Sequence, residues 1–155
     1  MGVGMSKHDK ILIFTLSEQR YGIPLAVVER VVRMVTITPL SGGPEFIDGV
    51  INVHGEIIPV VNLRCRFGLP GRPAGFSDQL IILRCATRSF ALIADMACDV
   101  WGCTEQMQAE AAEIIADLPF LAAVVKLPDG LVLLQDPEAL LTPGESFAID
   151  ELIGL

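Results

Sequence analysis

Aromatic and basic residues are both scarce in this sequence. Aromatic side chains make up 6% of the 155 residues, and 11 Lys and Arg stand against 19 Asp and Glu, for a formal net charge of −8. Nucleic-acid binding needs the opposite composition, because basic side chains neutralise phosphates and aromatic rings stack on bases. The composition therefore argues against a nucleic-acid-binding barrel and favours protein partners that carry basic patches.

Long hydrophobic runs are also missing, although 52% of the residues are hydrophobic. A membrane helix needs about 18 consecutive apolar residues, and charges, prolines or glycines interrupt every run here. The N-terminal stretch MGVGMSKHDK lacks the apolar core of a secretory signal. We expect one globular unit that stays in the cytoplasm and does not insert into a membrane.

Catalytic and metal-binding motifs are absent from the sequence. There is no phosphate-binding loop and no G-x-G-x-x-G, and neither His8 nor His54 accompanies a recognisable nucleophile. The four cysteines form no C-x-x-C pair, and they are Cys65, Cys85, Cys98 and Cys103. We therefore expect no enzyme activity, no cofactor and no metal, with the cysteines as plain buried thiols. The alternative, a metal or redox protein built on the cysteines and His54, would show stoichiometric metal after purification.

Short β-rich runs separated by tight breaks fill most of the chain. Strands are predicted at residues 10–16, 21–23, 46–53, 56–61, 79–85, 89–95, 98–103, 122–127 and 131–135. Residues 26–37 predict one helical turn followed by a strand. About ten short strands with little helix between them are typical of small barrels or a sandwich.

Turn and helix signals divide these runs. His54-Gly55 and Pro128-Asp129-Gly130 predict two β-hairpins, because glycine and Asp-Gly favour the positive φ angles of tight turns. Helices are predicted over 104–115, over 136–141 with Asp136 as N-cap, and over 145–153. The proline- and glycine-rich segment LPGRPAG, residues 69–75, predicts a break near the middle of the chain.

Four segments carry a family resemblance that extends from about residue 10 to residue 141. They read ILIFTLSEQRYGIPLAVVERV, GVINVHGEIIPVVNLRCRFGL, FALIADMACDV and LVLLQDPEALL. With these segments the chain resembles the CheW family, the coupling proteins that join chemoreceptors to the histidine kinase CheA. The pattern G-V-I-N-x-x-G-x-I-x-P-V-V-x-L is highly specific for that family.

The resemblance implies an all-β fold of two small five-stranded SH3-like or OB-like barrels packed side by side. It divides the chain into a flexible N-terminus (1–9), a CheW-like domain of two barrels (10–143, with the break near 69–75) and a C-terminal helix (144–155).

The implied function is a non-catalytic scaffold of bacterial chemotaxis that couples methyl-accepting chemotaxis proteins to CheA. One face would bind the regulatory domain of the kinase, and a groove between the barrels would bind the helical receptor tip at membrane-bound arrays. The alternative is the same adaptor role in a non-flagellar chemosensory pathway that controls pili, surface sensing or second-messenger synthesis.

The residues that match the motif are expected to contribute to partner contacts. They are Val28, Arg30, Val31, Gly49, Asn52, His54, Gly55 and Val100. The two turn glycines are expected to act through backbone shape rather than through direct contact.

Two of these positions depart from the family pattern. Arg30 stands where many members have glutamate, and His54 stands where the family has the arginine of N-L-R-G. In the family the two positions carry opposite charges, whereas here an arginine would face a histidine. Our hypothesis is that the docking surface is re-specified for a particular partner. Neutral drift at an exposed turn is the alternative.

Overall fold

The computed structural model describes residues 10–86, 88–102, 108–110 and 119–154. Within these ranges the chain forms eleven β-strands, one 3₁₀ turn and three short helices. None of the described helices is long and apolar enough to cross a membrane.

The strands follow one another in short steps. They are β1 (Lys10–Leu16), β2 (Gln19–Pro24), β3 (Val28–Arg33), β4 (Ile47–Val53), β5 (Glu56–Val61), β6 (Gln79–Arg84), β7 (Ser89–Ala94), β8 (Met96–Gly102), β9 (Gln108–Glu110), β10 (Leu121–Leu127) and β11 (Gly130–Gln135). The 3₁₀ turn is Leu25–Val27, and the helices are α1 (Leu63–Arg66), α2 (Pro137–Leu140) and α3 (Pro143–Ile153).

The strands build two sheets, and the predicted all-β fold is confirmed. One sheet has six strands in the order β8-β1-β2-β11-β10-β9, and the other has five in the order β3-β6-β7-β5-β4. Both sheets repeat the same series of pairings: an antiparallel edge strand, a hairpin, one parallel contact and a second hairpin. The parallel contacts join β11 to β2 and β5 to β7.

The predicted helix over 104–115 is wrong at residues 108–110. These residues form β9 and pair with β10, with Ala109 opposite Val124. Pairing with β10 competes with the local helix signals of these residues and overrides them. The rest of that predicted helix lies outside the described residues.

Residues 69–75 do not mark the place where the chain changes sheet. They lie between β5 and β6, and both strands belong to the five-stranded sheet. The chain passes from one sheet to the other through the 3₁₀ turn before β3, and it returns at Asp95 between β7 and β8. The six-stranded sheet is therefore built from both ends of the chain around an inserted five-stranded sheet.

Local turn and capping signals explain the elements that were predicted well. The helical turn before β3 and the two hairpins are confirmed. Asp136 caps α2 by accepting a hydrogen bond from the amide of Glu138 at 3.0 Å. The helix predicted from residue 145 begins two residues earlier, because Thr142 and Glu145 form a capping box around Pro143.

The strand β1 contributes to two hydrophobic cores at once. Leu12, Phe14 and Leu16 join a large cluster with the buried side chains of the five-stranded sheet and of α2 and α3. Ile11 and Ile13 point the other way, into a smaller cluster with side chains of β10 and β11. Since successive strand residues alternate between faces, the near-continuous apolar run ILIF is what a strand buried on both sides requires.

Asp95 ties the two sheets together where the chain returns to the six-stranded sheet. Its amide donates to the carbonyl of Thr15 at 2.9 Å, and its carboxylate accepts from the amide of Ser17 at 2.9 Å. The guanidinium of Arg64 donates to both carboxylate oxygens at 2.6 and 2.8 Å, and Arg72 donates at 2.6 Å. Arg64 lies in α1, the short helix directly after β5 of the five-stranded sheet, and its side chain is buried.

These donors set the protonation of Asp95. Burial disfavours the ionised carboxylate, but the hydrogen bonds from Arg64, the Ser17 amide and Arg72 outweigh burial, and the pKa of Asp95 lies below its usual value of 3.8. The pKa of Asp78 is also lowered, because hydrogen bonds from Arg72 and the Gly75 amide outweigh its burial. Both carboxylates are therefore charged, and paired, at neutral pH.

We expect Phe14→Ala to destabilise the whole chain. Phe14 is fully buried and stacks on Tyr21 with ring centroids 5.9 Å apart, so its loss should lower the free energy of unfolding by about 3–5 kcal/mol. Urea denaturation followed by circular dichroism measures this. Phe76→Ala is the matched control, because Phe76 is 99% exposed. Equal stability of the two variants would contradict the proposed central role of this core.

Acid should weaken the contacts that the Asp95 carboxylate makes with Ser17, Arg64 and Arg72. A folded-state pKa below the unfolded value stabilises the native state above about pH 4, and this contribution is lost as the pH falls through the lower folded-state pKa. We expect Asp95→Asn to lower the free energy of unfolding by about 2 kcal/mol at pH 7. Below pH 4 the free energy of unfolding of this variant should decrease less steeply with falling pH than that of the wild type. Urea unfolding at pH 7, 4 and 3 tests this, with Asp129→Asn at an exposed ion pair as control. Parallel pH profiles for wild type and Asp95→Asn would count against it.

Candidate partner-binding surface

The hairpin between β4 and β5 presents a two-residue tip. Val53 pairs with Glu56, so His54 and Gly55 form the whole loop. Both have positive φ angles, 51° and 86°, as a type I′ turn requires. The amide of Gly55 donates to the side-chain oxygen of Asn52 at 2.8 Å, and this hydrogen bond holds the exposed tip in shape.

Arg30 on β3 reaches this tip. Its guanidinium lies 2.9 Å from Nε2 of His54. An arginine N–H can only donate, so Nε2 is the acceptor and the imidazole is neutral in this contact, with its proton on Nδ1. The predicted meeting of these two residues is therefore observed. A neutral histidine accepts the hydrogen bond but leaves the charge of Arg30 uncompensated.

Ion pairs surround this contact on the neighbouring strands. Arg84 on β6 lies 2.9 Å from Glu29 and 3.8 Å from Glu56. All three side chains are solvent-accessible to different degrees, and such pairs contribute little to stability. One guanidinium faces two carboxylates, so this group carries one excess negative charge beside Arg30.

Two valines of β3 differ in what they offer to a partner. Val28 is half-buried and packs against the large core cluster. Val31 is 36% exposed and stands next to Arg30. Val31 is thus available for contact, whereas Val28 mainly supports the strand.

Gly49 is buried and shapes the surface from beneath. The amide and carbonyl of Val50 exchange hydrogen bonds of 2.8 and 2.9 Å with Thr38, which joins the segment after β3 to β4, the opposite edge of the same sheet. A Cβ on Gly49 would collide with the carbonyl of Thr38 and would lie 2.9 Å from Ile37. Because Gly49 has no side chain, Thr38 can lie close enough to β4 to form these hydrogen bonds and so join the two edges of the sheet.

Val100 lies apart from the other predicted residues. It belongs to β8, at one edge of the six-stranded sheet, and pairs with Leu12. Its side chain is 45% exposed. The structure thus brings Arg30, Asn52, His54 and Gly55 together, places Val31 on the opposite face of β3 from Arg30, and places Val100 on the other sheet.

The resemblance implied a groove between the two barrels but none of its residues was predicted, and the structure shows a groove between the six-stranded sheet and α1 with the residues that follow it. It has a volume of about 550 Å³, and aromatic rings of Tyr21, Phe67 and Phe120 line it together with Leu133. Adjacent ring centroids lie 5.3 Å apart for Tyr21 and Phe67, and 5.7 Å apart for Phe67 and Phe120. These three rings are widely separated in the sequence, so no local pattern predicts the groove. Only the fold brings the rings together.

Arg66 holds one wall of this groove. Its guanidinium lies 3.9 Å from the ring centroid of Phe46 and 4.9 Å from that of Phe120. It also binds both carboxylate oxygens of Glu145, in the first turn of α3, at 2.7 and 2.8 Å. Arg66 therefore connects α1, the entry to β10 and the C-terminal helix.

The described cysteines are free thiols and are not activated. Cys65 is exposed, which corrects the expectation of burial, while Cys85 is buried. Burial and nearby carboxylates raise the pKa of both thiols, that of Cys85 to about 12. Among the described residues no cluster of His, Cys, Asp and Glu could hold a metal ion. Cys103 lies outside the described residues, as does the side chain of Cys98.

Sequence and structure comparisons point to one family. Residues 10–145 match the sequence model of the CheW-like domain. The chain is 28% identical over 151 residues to the chemotaxis protein CheW of Klebsiella aerogenes, covering 96% of this chain and 91% of that protein. It is 38% identical over 63 residues to CheW of Thermotoga maritima, which covers 41% of this chain and 42% of that protein.

A solved structure shows the same fold. The scaffolding protein TtCheW from Thermoanaerobacter tengcongensis matches with a TM-score of 0.80 and 31% sequence identity. The match covers 87% of this chain and 93% of that one.

We expect Gly49→Ala to destabilise the five-stranded sheet. The added methyl group would push Thr38 away from Val50 and so open the junction of the two sheet edges, at a cost of about 2 kcal/mol or more. Urea unfolding measures this against Gly71→Ala, where a Cβ meets nothing within 4 Å. Equal stability of both variants would show that the close approach is not needed.

Proposed function

The chain belongs to the CheW family of non-catalytic chemotaxis scaffold proteins, and from this we propose that it couples chemoreceptors to the histidine kinase CheA. The observation that supports this role is the presence of two separate contact surfaces on one connected core. One is the aromatic groove between the six-stranded sheet and α1, and the other is the surface of β3 and the β4–β5 hairpin tip.

The groove suits the helical tip of a receptor. Its walls combine aromatic rings with Leu133 and with the polar side chains of Arg66 and Gln135. An amphipathic helix binds such a groove by inserting apolar side chains spaced three or four residues apart. The polar groups at the rim then fix the orientation of the helix.

The second surface suits the regulatory domain of the kinase. It is formed by strand and turn residues, with Arg30, Asn52 and His54 as polar contacts. Val31 offers an exposed apolar contact on the other face of β3. Val100 on the other sheet provides a further exposed apolar contact. In this proposal residues 10–143 form the two-barrel unit, residues 144–155 complete it as the C-terminal helix, and the partners recruit the protein to receptor arrays.

Titration calorimetry with the regulatory domain of the histidine kinase encoded nearest to this protein tests the proposal. We expect saturable 1:1 binding with a Kd on the order of 1–10 μM, typical of a modest and dynamic interface. A receptor-tip fragment titrated into the preformed complex should bind as well, because the two surfaces share no residue. Failure of the folded protein to bind either partner would contradict the coupling role.

A further inference from the structure

Glu145 lies outside the groove and is joined to it through Arg66. The groove is lined by Arg66 together with Phe67 and Phe120, and Glu145 is not among its lining residues. Glu145 belongs to the first turn of α3. Its two carboxylate oxygens accept hydrogen bonds from the two terminal nitrogens of Arg66 at 2.7 and 2.8 Å. The C-terminal helix therefore reaches the groove wall through this guanidinium.

The capping box of α3 fixes the position of the Glu145 carboxylate. The amide and the hydroxyl of Thr142 both donate to Oε1 of Glu145 at 3.0 Å. Burial disfavours the ionised carboxylate, but hydrogen bonds from Arg66 and Thr142 outweigh burial, and the pKa of Glu145 lies below its usual value of 4.5. Glu145 is therefore charged at neutral pH, and its own helix holds it in place independently of Arg66.

The guanidinium of Arg66 in turn supports the aromatic wall. It lies 3.9 Å from the ring centroid of Phe46 and 4.9 Å from that of Phe120, within the range of cation–π contacts. The ring of Phe120 then contacts that of Phe67, with centroids 5.7 Å apart. Because a guanidinium is planar and its donors form a rigid fork, the two bonds to Glu145 set the plane against which Phe120 packs.

The same ion pair keeps the groove wall electrically neutral. The side chain of Arg66 is 13% exposed, and its Nε is buried with no hydrogen-bond partner among the described residues. Besides Glu145, Arg66 donates to the carbonyl of Ala139 at 3.4 Å. Without the carboxylate, the guanidinium would present an unpaired charge to the apolar side chains of a bound helix, and burying such a charge is unfavourable.

We infer that Glu145 is a positioning residue for receptor binding: through Arg66 it holds Phe120 in place and keeps the groove wall neutral, so that α3 sets the affinity of the groove for the receptor helix. This inference rests on the proposed function and adds a residue outside the groove that determines its affinity. A neutral aromatic wall fits the apolar face of an amphipathic helix, which is the occupant already proposed.

A second arginine provides a matched control. Arg88, directly before β7, binds Asp150 of α3 at 2.6 Å. Its side chain is 12% exposed, and its Nε also has no partner among the described residues. Neither Arg88 nor Asp150 lines the groove. The two ion pairs thus tie the same helix to the rest of the chain, and of the two the Arg66 pair alone touches the groove.

The test compares Glu145→Gln with Asp150→Asn by titration calorimetry against a helical fragment of the cytoplasmic tip of a chemoreceptor from the same organism. Each substitution changes the formal net charge from −8 to −7. Glutamine can still complete a capping box, so α3 keeps its N-terminal cap. Arg66→Lys and Arg88→Lys form a second matched pair, which keeps the charge and removes the planar fork. Circular dichroism checks that each variant is folded, and the lysine pair decides the question if Glu145→Gln is not.

We expect Glu145→Gln and Arg66→Lys to weaken binding of the receptor fragment by about tenfold, as expected for the loss of a hydrogen bond between charged groups. Asp150→Asn and Arg88→Lys should stay within about twofold of wild type. Binding of the kinase regulatory domain should be unchanged in all four variants. In proton NMR spectra without any partner, the ring resonances of Phe120 should shift in Glu145→Gln and stay in place in Asp150→Asn.

Several outcomes would overturn the inference. If wild type binds the fragment and Glu145→Gln binds it equally well or more tightly, Glu145 does not position the groove, and the proposed function stands. An equal loss in Asp150→Asn would attribute the effect to α3 as a whole rather than to the contact with Arg66. Unmoved Phe120 resonances in Glu145→Gln would refute the path through that ring. If folded wild-type protein does not bind the fragment at all, the receptor part of the proposed function is wrong, and the inference about affinity falls with it.

Discussion

The ion pair between Arg64 and Asp95 is the contact on which the arrangement of the two sheets depends. The chain enters the five-stranded sheet after β2 and must return to pair β8 with β1. Asp95 stands at that return, and its carboxylate is held by donors from both sides: the Ser17 amide in the β1–β2 turn and the guanidinium of Arg64 in α1. A side chain that could not accept several hydrogen bonds at once would leave buried donors unsatisfied.

A continuous hydrophobic core holds the two sheets in a fixed arrangement at this junction. Because one face of β1 packs into the same cluster as the five-stranded sheet, the two sheets cannot shift independently without exposing apolar surface. Arg66 adds a second tie by joining the groove wall to α3 through Glu145, and Arg88 binds the same helix through Asp150 at 2.6 Å. The groove and the β3 surface are therefore held at a defined distance and orientation relative to each other.

Sequence reasoning succeeded where short-range chemistry decides the structure. The two hairpins follow from residues that accept positive φ, and α2 follows from an N-cap and a proline at its first position. It failed at β9, where pairing with β10 overrides a helical pattern, and at the sheet crossings, which depend on strand order. The meeting of Arg30 with His54 could be anticipated from the family pattern. A groove between the barrels was implied by the same resemblance, but its lining residues could not be named, since its aromatic residues come from distant parts of the chain.

The Arg30–His54 contact shows how a surface can keep its shape while its charge changes. A hydrogen bond from guanidinium to neutral imidazole spans the gap between β3 and the hairpin tip. The tip geometry itself depends on Gly55 and on the Asn52 side chain, so it is independent of the charges at this contact. Charge at these two positions can therefore vary without disturbing the fold of the hairpin tip.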